Sequence, residues 1–304
     1  MKPIVIGIGE ILWDLLPAGP RMGGAPANFA CHAHALGADA TVISRVGDDD
    51  AGALLLENLG RLGVSTAAIG RDPDHPTGTV EVSLAADGQP QFRIIEEVAW
   101  DHLQCSPQLL HLASQADAIC FGTLGQRSEV SGHTIRQIVA ATPESALRVF
   151  DVNLRQSYYN ASILHDSLAL ANICKLSDAE LPAIADLLGL EGDVHTQLDQ
   201  LVQRYQLRLV VFTRGGDGSI LTDGTEWVDH PGLPADVKDT IGAGDSFTAA
   251  TTMGMLHGMP LRRISDIANQ VAAFVCSQHG AVPKLPDELV KLYLTETGSA
   301  SPNS

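Results

Sequence analysis

Val237-Lys238-Asp239-Thr240-Ile241-Gly242-Ala243-Gly244-Asp245-Ser246-Phe247 places two glycines around one alanine and follows them directly with an acid. From Phe247 to His257 the apolar positions Ala249, Ala250, Met253, Met255 and Leu256 predict a buried helix. Gly242-Ala243-Gly244 then falls at its N-terminus, where N–H groups lack partners and the macrodipole draws an anion. Asp245 beside such an anion hole suits phosphoryl transfer, since its carboxylate can deprotonate a hydroxyl while the N–H groups hold phosphate charge. Taken alone, the stretch reads equally well as a glycine turn with Asp245 stabilising the first helical turn. The rest of the chain has to decide.

Composition narrows the classes. The chain has 304 residues, 45% of them apolar, enough for a large core in one big α/β domain or two smaller ones. A net charge of −17 argues against nucleic acid or an anionic membrane as partner. An anionic substrate would need locally placed cations or a metal ion. Cys31, Cys105, Cys120, Cys174 and Cys276 form no C-x-x-C pair and sit among apolar neighbours, as reduced core residues of a cytosolic protein do. Ile4 to Ile8 is too short for a signal-peptide core, and no apolar run approaches membrane-spanning length. The expected setting is soluble and cytoplasmic.

Ile4 to Gly9 is a short apolar run of the buried parallel-strand kind. Gly7 and Gly9 do not begin a dinucleotide fingerprint, because Leu12 stands where the third glycine belongs and no helix opens there. A second extended piece, Glu10 to Pro17, carries Asp14, either a solvated strand residue or a binder of sugar hydroxyls. Gly23-Gly24-Ala25-Pro26-Ala27-Asn28 leads into a helix with Pro26 in its first turn. The double glycine lets a ligand approach the backbone, and Asn28 offers both a donor and an acceptor. Ala27, Ala30, Ala33 and Gly37 form a small-residue packing face, and His32 and His34 have no metal-ligand spacing. A strand over Ala40 to Val46 meets the acidic turn Gly47 to Gly52, which caps a helix ending near Gly63.

Alternation from Gly78 to Leu84, a turn at Asp87-Gly88 and a second strand from Gln91 to Ile95 predict a β-hairpin. It interrupts a βα rhythm and, with Ile11 to Pro17, makes a small separate sheet, a lid over the site. The rhythm resumes with strands Ala118 to Phe121, Leu147 to Asp151, Ile173 to Leu176 and Leu209 to Thr213. Helices are expected near Val130 to Ala140, Asp178 to Leu188 and Val194 to Tyr205. Asp151, Lys175 and Thr213 end strands where open parallel sheets bind ligands. The predicted fold is α/β, a doubly wound, mostly parallel sheet with helices on both faces. It forms one domain over residues 1–297, with the lid at about 11–22 and 78–100 and a disordered tail at 298–304. Thr213-Arg214-Gly215-Gly216-Asp217-Gly218 is a second glycine-rich turn, and no G-x-x-x-x-G-K-[ST] occurs. Any nucleotide must therefore be held by glycine turns and a helix N-terminus.

With these residues in view the chain resembles the ribokinase/PfkB family of sugar and nucleoside kinases, in its fructokinase-like branch. Both family signatures are present, Gly23-Gly24-x-x-x-Asn28 and Asp239-Thr240-x-Gly242-Ala243-Gly244-Asp245. In the family order come Gly9-Glu10-Ile11-Leu12-x-Asp14, Arg45-Val46-Gly47-Asp48-Asp49, Asp151-x-Asn153-Leu154-Arg155, Lys175-Leu176-Ser177-x-x-Glu180 and Thr213-x-Gly215-x-x-Gly218. The likeness runs from Ile4 to about Pro286.

The resemblance implies roles. Asp245 is the general base, and the Gly242-Ala243-Gly244 amides are the anion hole. Asp14, Gly24 and Asn28 hold sugar hydroxyls. Lys175, Thr213, Gly215 and Gly218 lie along ATP, with Asn269 near the adenine. Glu180 and Asn153 order Mg2+ through water. Asp239 and the carbonyls of Ile241, Val275, Gln278 and Gly280 form a loop for a monovalent cation, K+, although Lys284 stands where a small hydroxyl residue often does. The resemblance also leaves room for a homodimer through the lid. Where typical fructokinases carry an arginine before an Asn-Pro-Ser-Ala-Asp run, this chain reads Glu96-Glu97-Val98-Ala99-Trp100-Asp101. Trp100 is therefore expected to line the lid, and the acids disfavour a phosphorylated substrate. The leading expectation is ATP-dependent phosphorylation of a primary hydroxyl of a small sugar, fructose first. A nucleoside kinase with Trp100 stacked on a base, and a catalytically silent sugar-binding regulator, are the alternatives.

Overall fold

The computed structural model describes residues 1–16, 19–84 and 90–294. Pro17, the turn expected at Asp87-Gly88 and the tail from Gly298 lie outside the described residues. The strands are β1 (Ile4–Ile8), β2 (Leu12–Leu16), β3 (Gly19–Gly23), β4 (Asp39–Gly47), β5 (Ile69–Asp72), β6 (Gly78–Leu84), β7 (Pro90–Ile94), β8 (Ala118–Phe121), β9 (Leu147–Asp151), β10 (Ile173–Ser177), β11 (Leu209–Thr213), β12 (Ser219–Thr222) and β13 (Trp227–His230). The helices are α1 (Ala25–Ala35), α2 (Asp50–Arg61), α3 (Pro107–Ala113), α4 (Glu129–Ala140), α5 (Ala161–Leu170), α6 (Leu181–Leu188), α7 (Val194–Tyr205), α8 (Ala243–Leu256), α9 (Leu261–Cys276) and α10 (Asp287–Leu294).

The large sheet runs β13-β12-β11-β10-β9-β8-β1-β4-β5. Its pairs are parallel except at the β11–β12–β13 edge, which is the doubly wound architecture the βα rhythm predicts. The strand order turns back at β1, which pairs with β4 on one side and β8 on the other. Open α/β sheets bind ligands beyond the strand ends at such a reversal. Helices cover both faces. On one, Ile135, Leu164, Ile184 and Leu201 pack on Phe121 and Phe150; on the other, Phe29, Phe247, Met253 and Val271 pack on Val149 and Val211. A Cβ at Gly7 of β1 would overlap the Pro26 carbonyl oxygen, so that glycine lets the first turn of α1 rest on the strand.

Helix α8 begins at Ala243 behind Gly242, which puts Gly242-Ala243-Gly244 at its amino end as expected. One helix start differs. Helix α6 begins at Leu181, not Asp178, because the Glu180 carboxylate accepts the Ser177 amide and hydroxyl at 2.7 and 2.8 Å and ties residues 178–180 into a turn. Cys31, Cys120 and Cys174 are buried free thiols. Among the described residues no helix is long and apolar enough to cross a membrane.

The second sheet has the order β3-β2-β6-β7, joining the two stretches that break the βα rhythm. Its buried side centres on Trp100, packed with Leu12, Val80, Ile94, Val98 and Leu124. The Arg127 guanidinium lies 4.0 Å from the Trp100 ring centroid and pairs with both Asp101 carboxylate oxygens at 2.8 and 2.7 Å. Removing one partner of a buried pair leaves an uncompensated charge and costs about 3–5 kcal/mol. Arg127→Met is therefore expected to lower the unfolding free energy in urea by that amount, and adding Asp101→Asn should return part of it. A loss below about 1 kcal/mol would show that this pair does not anchor the small sheet.

Candidate active site

The C-terminal ends of β1, β9, β10 and β11 open on a cleft of about 1100 Å³, bounded on its other side by Leu12, Asp14 and Val80 of the small sheet. Single small-molecule pockets run to roughly 300–1000 Å³, so this cleft has room for two ligands. Its centre is the amino end of α8. Gly242 caps that helix at φ +81°, and a Cβ there would overlap the Ala281 carbonyl, so glycine is required. The Ala243 amide turns back to the Thr240 carbonyl at 3.3 Å. Helix geometry leaves the next first-turn amides, of Gly244 and Asp245, without a carbonyl one turn back. Lys175 stands over that turn: a Cβ on Gly244 would lie 3.1 Å from its Nζ. Nζ also donates to Asp151 Oδ1 at 3.0 Å. Burial alone would lower the Lys175 pKa, but the attraction of Asp151 and Glu180 outweighs it and raises it. The ammonium stays charged.

On the small-sheet side of Asp245 lies a group of acceptors. Asn28 Nδ2 donates to Asp245 Oδ2 at 2.8 Å, which leaves Asn28 Oδ1 buried without a protein partner. Glu10 follows β1, and its Oε1 accepts the Ala25 amide at 3.1 Å while its Oε2 is also buried and unpartnered. Gly24, at φ +111°, admits no Cβ because it would press on the Glu10 carbonyl oxygen and Ile11 Cα. Burial pushes the Glu10 carboxyl up to about 7 and the Asp14 carboxyl to about 6. Burial also raises Asp245, opposed by the Asn28 bond and by the charges of Lys175 and Arg155. Arg155 lowers all three carboxyls and lines the same cleft.

At the far side, Thr213, Gly215, Gly218 and Asn269 line the cleft. Gly218, at φ +83°, sits against the His230 carbonyl where no Cβ fits. Asn269 Nδ2 donates to Ser219 Oγ and to the Ser265 carbonyl, both at 2.9 Å. Between the two ends, Asn153 adopts a left-handed φ of 45°. Glu180 is held by the Leu154 amide at 2.8 Å as well as by Ser177. The held Glu180 carboxylate, with Asn153 lining the same part of the cleft, offers oxygen ligands of the kind a hydrated magnesium ion takes.

The structure thus brings together the expected base, anion-hole, sugar and nucleotide positions, with one exception. Trp100 does not line the cleft: it is 1% exposed and stacked under Arg127. The six-residue run from Glu96 turns inward after Glu97, which carries it into the core beneath the small sheet. The proposed cation residues lie in two touching segments, the loop before α8 and the end of α9 with the turn after it, where Asp239 accepts the Ile241 amide and the Gly280 amide, each at 3.1 Å. The Val275 carbonyl accepts the Gln278 amide at 3.0 Å. Asp239 Oδ2 also accepts Arg21 Nη1 of β3 at 2.8 Å. Glu10, Arg155 and Arg21 are site residues to which the sequence reading assigns no role. An acid directly after an otherwise apolar strand was the available signal for Glu10; nothing in the sequence marks Arg21.

A buried carboxylate and unpaired first-turn amides meeting at one helix end, between an acceptor-rich pocket and a glycine-walled groove, fit a small-molecule phosphotransferase. The family comparison agrees: residues 19–288 match the model of the pfkB family carbohydrate kinase, and the chain belongs to that family. It is an ATP-dependent sugar kinase. Its relatives include a sugar kinase of Pyrococcus horikoshii, 31% identical over 95% of each chain. The crystal structure of that protein in complex with ATP superposes with a TM-score of 0.80 at 30% identity, covering 96% of this chain and 99% of the other. An Escherichia coli fructokinase is 28% identical over 92% of this chain and 95% of its own. The aminoimidazole riboside kinase of Salmonella typhimurium is 29% identical over 92% and 91%.

The burial of Glu10 has a measurable consequence. A carboxyl raised from 4.5 to about 7 lets the folded state bind a proton that the unfolded state has released. Its stabilising contribution is complete below pH 4.5 and is lost as pH rises to about 7. At 1.36 kcal/mol per pH unit the loss is roughly 3 kcal/mol. Urea unfolding at pH 5 and pH 8 should show wild type losing about that much more than Glu10→Gln. Equal pH dependence in the two proteins would show that the carboxyl ionises freely in the native state.

Proposed function

We propose that residues 1–297 act as one kinase that transfers the γ-phosphoryl group of ATP to a primary hydroxyl of a small unphosphorylated sugar, with fructose the leading candidate. The observation that carries this reading is the pair of buried, unpartnered acceptors, Asn28 Oδ1 and Glu10 Oε2, beside Asp14 and Asp245. Acceptors without donors are costly when buried, and a polyhydroxylated ligand supplies several O–H donors at once. Asp245 holds the reacting hydroxyl and takes its proton. The Gly244 and Asp245 amides and Lys175 hold the charge of the transferring group. Gly215 and Gly218 give the nucleotide a wall without side chains, Thr213 borders it, and Asn269 meets its base. Glu180 and Asn153 would hold magnesium through water, and bound magnesium supplies neutralising charge to the phosphates. The small sheet acts as the lid, excluding water over the sugar. Leu15, 41% exposed on β2, offers a homodimer through that sheet an apolar contact. The free cysteines suit the reducing cytoplasm.

Trp100 is core and offers a nucleoside base no stacking platform, although one relative is named an aminoimidazole riboside kinase. A panel of sugars and nucleosides with ATP, read as ADP release, is expected to give fructose the highest kcat/KM. A nucleoside or a sugar phosphate outperforming every free sugar would overturn the substrate assignment.

The base is tested separately. Asp245→Asn keeps the side-chain shape and removes the proton acceptor, so kcat should fall about 10²–10⁴-fold with nucleotide affinity retained. If Asp245 merely stabilised the helix start, the variant would lose only about 0.3–1 kcal/mol of stability and keep its turnover.

The resemblance assigns Asp239 to a potassium loop, but its Oδ2 already carries the Arg21 guanidinium. We infer that Arg21 supplies the positive charge of that loop from the lid. Turnover of wild type should then differ by less than about twofold between potassium and choline salts, whereas Arg21→Gln should become potassium-stimulated. Strong potassium activation of wild type would show that the cation and Arg21 are not alternatives.

A further inference from the structure

The chain enters the small sheet a second time through the β5–β6 connection and leaves it through residues 95–102, the two legs of the β6–β7 hairpin. These two legs meet at a group that takes no part in the cleft. His75, from the entering leg, and His102, from the leaving leg, stack face to face with ring centroids 3.5 Å apart. Glu97 Oε2 lies 3.6 Å from His102 Nε2. One ligand atom from each of His75, Glu97 and His102 falls within 4.8 Å of the others. We propose that these three side chains bind a divalent transition metal of the zinc class and clamp the two legs of the small sheet together.

Three further observations point to a cation. His102 Nε2 is buried and has no hydrogen-bond partner, so its nitrogen is available to a ligand. His75 Nδ1 lies 3.1 Å from Asp72 Oδ2, the carboxylate–imidazole arrangement that fixes the tautomer of a metal-binding histidine and leaves Nε2 free to coordinate. The local charge also favours it: Asp72 is paired with Arg45 at 3.2 Å, which leaves Glu97 as the uncompensated charge beside two imidazoles. Nitrogen and oxygen ligands bind zinc at about 2.0–2.2 Å, which puts neighbouring ligands of a tetrahedron about 3.3–3.6 Å apart. An imidazole donates in its ring plane, so binding requires the stack to open, one ring turning until both nitrogens face the ion, while Glu97, whose side chain is 86% exposed, swings in as the oxygen ligand. Water would complete the set. The His102 backbone is itself held, since Arg45 of β4 also donates to the His102 carbonyl at 2.7 Å.

The proposal is independent of the sugar assignment and is tested without turnover. Metal-free protein in excess magnesium, which occupies the carboxylates of the cleft, is titrated with cobalt(II) while visible absorption is recorded. Wild type should develop tetrahedral d–d bands that saturate at one equivalent and vanish when zinc is added, and zinc alone should raise its melting temperature. His75→Gln, His102→Gln and Glu97→Gln should each weaken cobalt binding by at least about tenfold. Glu97 is a surface side chain, so its variant will fold and keeps the test decisive should a histidine variant fail to. Absence of the bands in wild type, or wild-type affinity in Glu97→Gln together with either histidine variant, would overturn the site.

Discussion

Burial of negative charge at the amino end of α8 is the constraint on which the rest of the molecule depends. Asp245 shares one cleft with Glu10, Asp14 and Glu180, in a chain whose net charge is already −17. Such a cluster would repel both itself and a nucleotide unless positive potential were built in locally. It is supplied by the first-turn dipole of α8, by Lys175 locked to Asp151 and by Arg155. Lys175 lies on β10 and Arg155 in the segment that follows its neighbour β9. The parallel sheet is therefore the device that brings scattered charges to one helix end, and the glycines at 242 and 244 keep that end uncovered.

The same constraint explains what the sequence disclosed. The large sheet was legible because buried parallel strands are continuous apolar runs; Ala118–Phe121, Leu147–Asp151 and Leu209–Thr213 are found at the expected bounds. Asp245, Lys175 and Asn28 were legible because each lies in a glycine-rich or strand-end run with a functional spacing. Glu10 was harder, since its effect comes from desolvation, a property of what packs around it. Arg21 was not legible at all. Its partner Asp239 is 218 residues away, and only the pairing of β3 with β2 carries it there. Trp100 misled for the complementary reason: an aromatic near a lid is read as a lining residue until its neighbours, Val98, Leu124 and Arg127, show it facing the core.

Guanidinium groups also fasten the small sheet. Arg127 holds Asp101 and the Ile95 carbonyl, Arg45 holds Asp72 and the His102 carbonyl, and Arg21 reaches Asp239. The first two are buried or nearly so and belong to the legs of the sheet, where a planar fork satisfies several oxygens at once. The third is partly exposed and crosses from the sheet to the loop before α8. A partly exposed pair contributes less stability than a buried one, so of the three contacts the one between Arg21 and Asp239 is the weakest.

Substrate choice follows from the proposed pocket by the same physics. A hydrogen bond from a ligand hydroxyl to a charged acceptor contributes about 1.5–3 kcal/mol, and an acceptor left unpaired in a buried site loses a comparable amount. A pocket offering Asn28 Oδ1, Glu10 Oε2 and Asp14 therefore penalises any ligand that lacks a hydroxyl at one of those positions, which is stronger selection than an apolar wall can give. A phosphate on the sugar would meet the reverse situation. It would bring further negative charge to Glu10, Asp14 and Asp245, with Arg155 the nearby side-chain cation that lowers all three. The acids proposed to accept hydroxyls would therefore disfavour a phosphomonoester among them, whereas the proposed transfer builds its phosphate at the amide end of α8, where positive potential would hold it.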